Sequence, residues 1–189
     1  MIDGEGWLRD GLRCKLTVIP CRGYTHRSRY RLPTAPSPNL PNMRAVYLYP
    51  SLCFFEGTPV SLGRGTDFPF QAYGHPELQG DFSFTPRSNA GAKNPPLKDK
   101  LCHGVDLRTS PSDERIWERE VDLGYVIDCY RQLNLGEKFF TPMFDRLTGT
   151  DYVRQMILQG AGADRIKASW ADDVERFKQT RKPYLLYEE

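Results

Sequence analysis

The chain has 189 residues, 26 basic against 24 acidic side chains, a formal net charge of +2 and 39% apolar residues. That length suits one domain, or one with a small appendage, and allows a real core. The charge balance argues against a dedicated nucleic-acid binder, whose footprint is a strong basic excess, and no run approaches the roughly 18 apolar residues of a membrane span.

Taken in chain order, Met1 to Gly6 lack the basic-then-apolar order of a signal peptide. Leu12 to Val18 alternates apolar and polar side chains, the period of a half-buried strand, and Pro20 ends it. Arg22 to Arg31 interleaves four arginines with two tyrosines, which suits either a solvated loop or a surface that stacks bases or sugars and pairs phosphates. Prolines between Leu32 and Pro41 favour a stiff, extended strap. Asn42 is placed to cap a helix through Tyr49 that Pro50 ends, and Leu52 to Phe55 reads as a buried strand delivering Glu56 at its tip.

Phe68 to Tyr73, Asp81 to Thr85 and Leu101 to Leu107 read as further short strands. Between them, Ser88 to Lys100 has the composition of a mobile loop. The period then changes to helical. Leu123, Val126, Ile127, Tyr130 and Leu133 form one stripe behind an Asp122 cap, stopped at Gly136; Thr150 opens a second helix closed by Gly160; Ile166, Trp170, Val174 and Phe177 form the core stripe of a third. Strands over 1–110 followed by helices over 111–189 predict an α+β fold: a small curved or barrel-like, mostly antiparallel sheet with the C-terminal helices packed on it.

Five cysteines at irregular spacing, Cys14, Cys21, Cys53, Cys102 and Cys129, indicate neither a disulfide scaffold nor a zinc site. Cys14 and Cys21 read either as a bridge between two strands or as two small core residues. His26, His75 and His103 are too dispersed to suggest a metal, and no phosphate, dinucleotide or nucleophile-elbow motif appears, so no cofactor is expected.

The segment from Phe55 to Thr66 sets Glu56 and Arg64 eight positions apart among Gly57, Gly63 and Gly65. Glycines there allow the backbone to bend around a bound group while the acid and the guanidinium address it; a turn-rich loop with a solvated ion pair has the same composition. Glu56, Arg64 and Thr66 are therefore candidate ligand-binding residues. Asn39, held in the stiff strap beside Ser37, and Gln71, just beyond the glycine loop, are two more, with an Asx turn and a surface amide as the structural alternatives.

These strings carry a resemblance. Ala35-Pro36-Ser37-Pro38-Asn39-Leu40-Pro41, Tyr49-Pro50-Ser51-Leu52-Cys53-Phe54-Phe55-Glu56-Gly57-Thr58 and Gly63-Arg64-Gly65-Thr66-Asp67-Phe68-Pro69-Phe70 are followed by Gly104-Val105, by Phe144-Asp145-Arg146-Leu147-Thr148-Gly149-Thr150, and by Trp170, Phe177, Arg181 and Tyr184-Leu185-Leu186-Tyr187. Across nearly the whole chain this resembles the C-terminal part of the exo-acting β-N-acetylmuramidases of peptidoglycan turnover, long a family of unknown function. One departure is His75, where the family has a small residue in a Gly-x-Pro turn.

The resemblance implies a longer two-domain enzyme, with a larger Rossmann-like domain ahead of this region carrying the essential acid, and a cleft between the two. It implies that this β-rich second domain is inactive alone, that its partners are that absent domain and a peptidoglycan-derived sugar, with no nucleic acid, and that the enzyme is exported to the periplasm or cell surface. Glycoside hydrolysis uses two carboxyl groups, so Glu56 is either one of the pair or a support for Arg64. The planar guanidinium of Arg64 suits the lactyl carboxylate of muramic acid, or else ties the loop to backbone carbonyls. The alternative reading is a non-catalytic carbohydrate- or protein-interaction module docking on a larger domain.

Overall fold

In the computed structural model, residues 1–187 are described. The chain divides into two units, residues 31–167 and the combination of residues 1–30 with the C-terminal segment from Ala168.

Residues 31–167 hold the sheet and the main core. Helix α1, Met43–Leu52, starts where expected: the Asn42 side chain accepts from the Ala45 amide at 3.0 Å, filling one of the orphan donors of the first turn. It does not stop at Pro50. The ring removes one amide donor from the last turn, but Leu48, Ser51 and Leu52 are buried and hold the turn in place. The chain then tightens into a 3-10 segment, Cys53–Gly57. The predicted strand over Leu52 to Phe55 is therefore helical, because a short apolar run fits either state until packing decides.

Three strands follow: β1 (Ala72–His75), β2 (Phe82–Phe84) and β3 (Cys102–Asp106). They form an antiparallel sheet in the order β1-β3-β2, with Tyr73 opposite Val105, Gly74 opposite Gly104 and Phe82 also opposite Gly104. The sheet is open rather than barrel-like, as three short strands cannot close. β1 begins only at Ala72, since Phe70 adopts φ +55° and interrupts the pleat ahead of it. The loop after β2 is tied down by Asp99 N–H to the Pro86 carbonyl at 2.8 Å and Arg87 N–H to that of Gly65 at 2.9 Å, with Pro95 buried.

The helical part of this unit comprises α2 (Asp113–Arg119), α3 (Gly124–Leu133), α4 (Pro142–Thr148) and α5 (Tyr152–Leu158), and it runs into α6 (Ala163–Ser169). The N-cap of α3 is Leu123 rather than Asp122, which lies one residue ahead and accepts from the Gly124 amide at 2.8 Å, and α3 ends at a left-handed Asn134 rather than at Gly136. Val126, Ile127, Phe139, Phe144, Val153, Ile157 and Ile166 are almost fully buried. Ser51 accepts from the Asp122 amide at 2.9 Å and donates to the Glu120 carbonyl at 3.3 Å, fastening the α2–α3 loop to α1.

Gly57 sets how closely α4 approaches: a Cβ there would lie 2.5 Å from the Phe144 backbone, and its carbonyl accepts from the Thr141 amide at 2.9 Å.

In the smaller unit, α7 (Ala171–Arg181) follows a break at Trp170. Val174 and Phe177 are 44% and 49% exposed, so of the predicted third stripe Ile166 is in the core and the part on α7 is not. Tyr184 donates to Glu5 at 2.6 Å, the Cys21 amide donates to the Tyr187 hydroxyl at 2.7 Å, and the Tyr24 and Tyr187 rings meet edge-on at 4.9 Å. Residues 12–18, predicted as a strand, pair with no strand among the described residues and are exposed throughout.

Replacing Gly57 by Ala is expected to cost about 2 kcal/mol or more, because the added methyl meets rigid backbone. Gly162→Ala, which meets nothing within 4 Å, should stay within about 0.5 kcal/mol of the parent. Urea denaturation midpoints of the two variants compare these values directly.

Candidate functional site

The 3-10 turn at Cys53–Gly57 fixes Glu56, and the loop beyond it returns Arg64 to the same place. Gly63 and Gly65 adopt φ +70° and +83°. At Gly65 no side chain fits, since a Cβ would lie 2.4 Å from the Arg87 carbonyl oxygen. The glycine demanded here therefore serves the fold of the loop against residues 87–95. Thr66 closes the turn by donating to the Gly63 carbonyl at 2.6 Å and accepting from the Phe68 amide at 3.2 Å.

Arg64 Nη2 donates to Glu56 Oε2 at 2.9 Å, with the two side chains 33% and 29% exposed. The guanidinium lies over the buried Phe70 ring at 5.2 Å, and Tyr49 packs on the same ring at 5.2 Å. Arg64 Nε is buried without a hydrogen-bond partner. Beside the pair is a recess of about 130 Å3 lined by Phe55, Glu56, Thr58, Val60, Leu62, Arg64 and Pro96. Four apolar residues, one hydroxyl, one acid and one base in its lining suit a small group carrying both an apolar and a polar end.

Tyr49 and Cys53 face Glu56 and were not read as site residues. Burial, and then the Glu56 charge, push the Cys53 thiol up to about 11. The Tyr49 phenol is raised by burial first, then by Glu56 and Cys53, with Arg64 pulling the other way. The signal that could have found them is their spacing, because Tyr49, Cys53 and Glu56 fall at i, i+4 and i+7 on one helical face.

The remaining candidates are committed to internal contacts. The Asn39 side chain donates to the Gly91 carbonyl at 3.1 Å, tying the proline strap to the 88–100 loop. Gln71 is buried rather than a surface amide; its side-chain oxygen accepts from Asn42 at 3.1 Å and its carbonyl from the Leu107 amide at 2.8 Å. A larger cavity of about 560 Å3 lies between the strap and the first half of α1, bordered by Arg31, Pro33, Pro36, Met43, Tyr47 and Asp113 among others. Arg44 at its edge is spent on the Leu107 and Pro111 carbonyls at 2.5 and 2.6 Å and on Asp113 at 2.5 Å.

Of the aromatic residues near the loop, Tyr73 is buried and stacked on Phe55 at 5.0 Å, and Phe68 is covered by the Arg108 guanidinium at 4.8 Å. The His75 ring accepts from the Glu77 amide at 3.2 Å, and burial lowers its pKa. His103 pairs with Ser83 at 2.9 Å. All five cysteines are free; Cys14 and Cys21 are exposed thiols, neither bridged nor in the core. Among the described residues no group of three or more His, Cys, Asp or Glu side chains is placed to hold a metal ion, and no helix is long and apolar enough to cross a membrane.

Residues 47–187, and with them Tyr49, Cys53, Glu56 and Arg64, match the family described as exo-beta-N-acetylmuramidase NamZ, C-terminal. The peptidoglycan beta-N-acetylmuramidase NamZ of Bacillus subtilis is 30% identical over 196 residues, covering 91% of this chain and 45% of that protein. A DUF1343 family protein of Bacteroides fragilis of known crystal structure is 61% identical with a TM-score of 0.96 over 100% of this chain and 53% of its own. A second DUF1343 protein from the same organism shares the fold, with a TM-score of 0.74 at 17% identity. The chain thus spans about half the length of these relatives.

The local electrostatics predict a labelling order. Near pH 8 an alkylating reagent should modify Cys14 and Cys21 first. Cys53, with a pKa near 11, is thiolate in only about one molecule in a thousand at that pH. Its labelling rate should keep rising until the pH nears that value. Glu56→Gln removes a negative charge that disfavours the thiolate and should speed Cys53 labelling several-fold at pH 8. Mass spectrometry of the modified peptides reads both effects, and an unchanged Cys53 rate in E56Q would show that the carboxylate does not act on the thiol.

Proposed function

The chain belongs to the NamZ exo-β-N-acetylmuramidase family, and we propose that residues 31–167 form the substrate-selecting wall of the enzyme's cleft. The enzyme releases terminal N-acetylmuramic acid from peptidoglycan fragments. The observation that carries this reading is the placement of the Glu56–Arg64 pair in the lining of one small recess within the family-matched region. The name of the B. subtilis relative supplies the substrate class.

Hydrolysis of a glycosidic bond needs a proton donor to the leaving oxygen and a second carboxylate as base or nucleophile. Glu56, already paired with Arg64, does not supply both; the family resemblance implies that the essential acid belongs to a second, Rossmann-like domain and that this chain is inactive alone. Arg64 keeps guanidinium donors beyond the one given to Glu56, and these hold a sugar substituent at the recess. Glu56 orients Arg64 and offers its second oxygen as an acceptor. Thr66, Asn39 and Gln71 contribute by fixing the loop, the strap and the base of the site. The enzyme acts outside the cytoplasm, where its polymer substrate lies, with no cofactor and no nucleic acid.

A non-catalytic docking module is the second reading, favoured by the internal hydrogen bonds that occupy Asn39, Thr66 and Gln71. The two separate on mutation in an active enzyme that contains this region. For a cleft wall, Arg64→Ala and Glu56→Gln should each lower kcat/KM on a chromogenic N-acetylmuramic acid glycoside by about 10- to 100-fold, the usual range for losing a charged hydrogen bond, with an unchanged circular dichroism spectrum. Unaltered turnover in both variants would favour the docking module.

A further inference from the structure

The segment from Lys15 to Pro20 has the sequence pattern of a β-strand and joins no sheet among the described residues. The chain runs from Leu12 to Cys21 without bend or turn. It is anchored at both ends, by the Cys14 amide to Asp3 Oδ1 at 2.9 Å and the Cys21 amide to the Tyr187 hydroxyl at 2.7 Å. Between these anchors no backbone amide or carbonyl of residues 15–20 has a hydrogen-bond partner among the described residues. The side chains are open as well: Leu12, Leu16 and Val18, on one face, are 64%, 69% and 48% exposed, and Ile19 is 89% exposed. Arg13, Lys15 and Thr17 alternate with them.

A solvated coil has no need of this pattern. β-Branched and apolar residues at period two, on a straight path with free donors and acceptors, are what an exposed sheet edge captures by strand addition.

The occupant is indicated by length. Family similarity to the C-terminal region begins only at residue 47, whereas likeness to the 61%-identical B. fragilis protein covers this entire chain at a TM-score of 0.96. That relative therefore carries the 12–20 segment along a closely similar course, within a chain of which this one covers 53%. We infer that residues 15–19 complete the β-sheet of the domain that forms the other half of such relatives, so that the catalytic partner is held by main-chain hydrogen bonds. The inference rests on the two-domain reading above but specifies an attachment that reading does not require. Strand addition fixes register, because a slip of one residue would turn Leu16 and Val18 to the opposite face of the sheet, and it thereby sets the distance between the two walls of the cleft.

The test co-expresses this chain with the half of the B. fragilis relative that lies outside the match, followed by hydrogen exchange read by mass spectrometry and NMR. In the chain alone, the amides of Lys15 to Ile19 should exchange at nearly intrinsic rates. In the complex, at least alternate amides should slow by about 100-fold or more, as expected for a paired strand. Thr17→Pro, which removes one donor and cannot sit within a sheet, should weaken the complex by at least about 30-fold. Thr17→Val should leave it intact, and neither change should alter the circular dichroism of the chain alone.

A complex that hydrolyses the muramic acid glycoside while residues 15–19 exchange freely would overturn this inference and leave the functional reading standing. A protected strand in a complex without that activity would do the reverse. Failure to associate, or protection arising from pairing between two copies of this chain, would also overturn it.

Discussion

The close approach of α4 to the 3-10 turn at Gly57 is the constraint on which the candidate site depends. With no side chain at that position, the Phe144 backbone seats where a Cβ would otherwise lie, and the Thr141 amide bonds the Gly57 carbonyl. The preceding residue is Glu56, so the carboxylate inherits its position from helix packing rather than from the flexibility of a loop. Phe144 is fully buried and touches the Phe140 ring at 4.7 Å, which ties the turn to the aromatic cluster under α3 and α4. A site residue mounted this way loses little conformational freedom when it binds.

Around Glu56 the electrostatics are self-consistent. Arg64 neutralises the acid and leans on Phe70, while Tyr49 and Cys53 on the same helical face are held in their neutral forms by burial and by that acid. The recess therefore presents one paired acid and base against neutral walls. A site of this kind discriminates by shape and by a small number of directed hydrogen bonds, which suits a sugar substituent better than a polyanion. Asn39, Thr66 and Gln71 spend side-chain polar atoms on contacts inside the chain, with the Gly91 carbonyl, the Gly63 carbonyl and the Asn42 side chain.

The smaller unit answers to a different physical demand. Its N-terminal segment is fastened to its C-terminal residues by Tyr184 and Tyr187, yet it leaves a stretch of main chain unsatisfied between the anchors. Backbone donors and acceptors are costly to leave unpaired once water is removed, so a surface of this composition is stable in solvent and ready to pair when a sheet edge arrives. The recognition proposed through main chain and that proposed through the Glu56–Arg64 recess are thus separated along the sequence.

Much was legible in the residues themselves. The α+β order, the Asn42 cap, the helical stripe of α3 and the strands at 82–84 and 102–106 follow from local periodicity and capping chemistry, which short-range sterics dictate. The pairing of Glu56 with Arg64 was also readable from spacing and glycine content. What sequence misjudged were the elements whose state depends on distant partners. Leu52 to Phe55 is helical because α4 packs on Gly57, Val174 and Phe177 stay exposed despite their helical spacing, and residues 12–18 have strand chemistry but pair with no strand among the described residues. Local sequence determined which conformations each segment favours and which side chains carry charge. Only the tertiary structure decided that the loop glycines serve chain packing, that Gln71 is buried, and that Tyr49 and Cys53 share the site, because burial and close approach are set by residues far away along the chain.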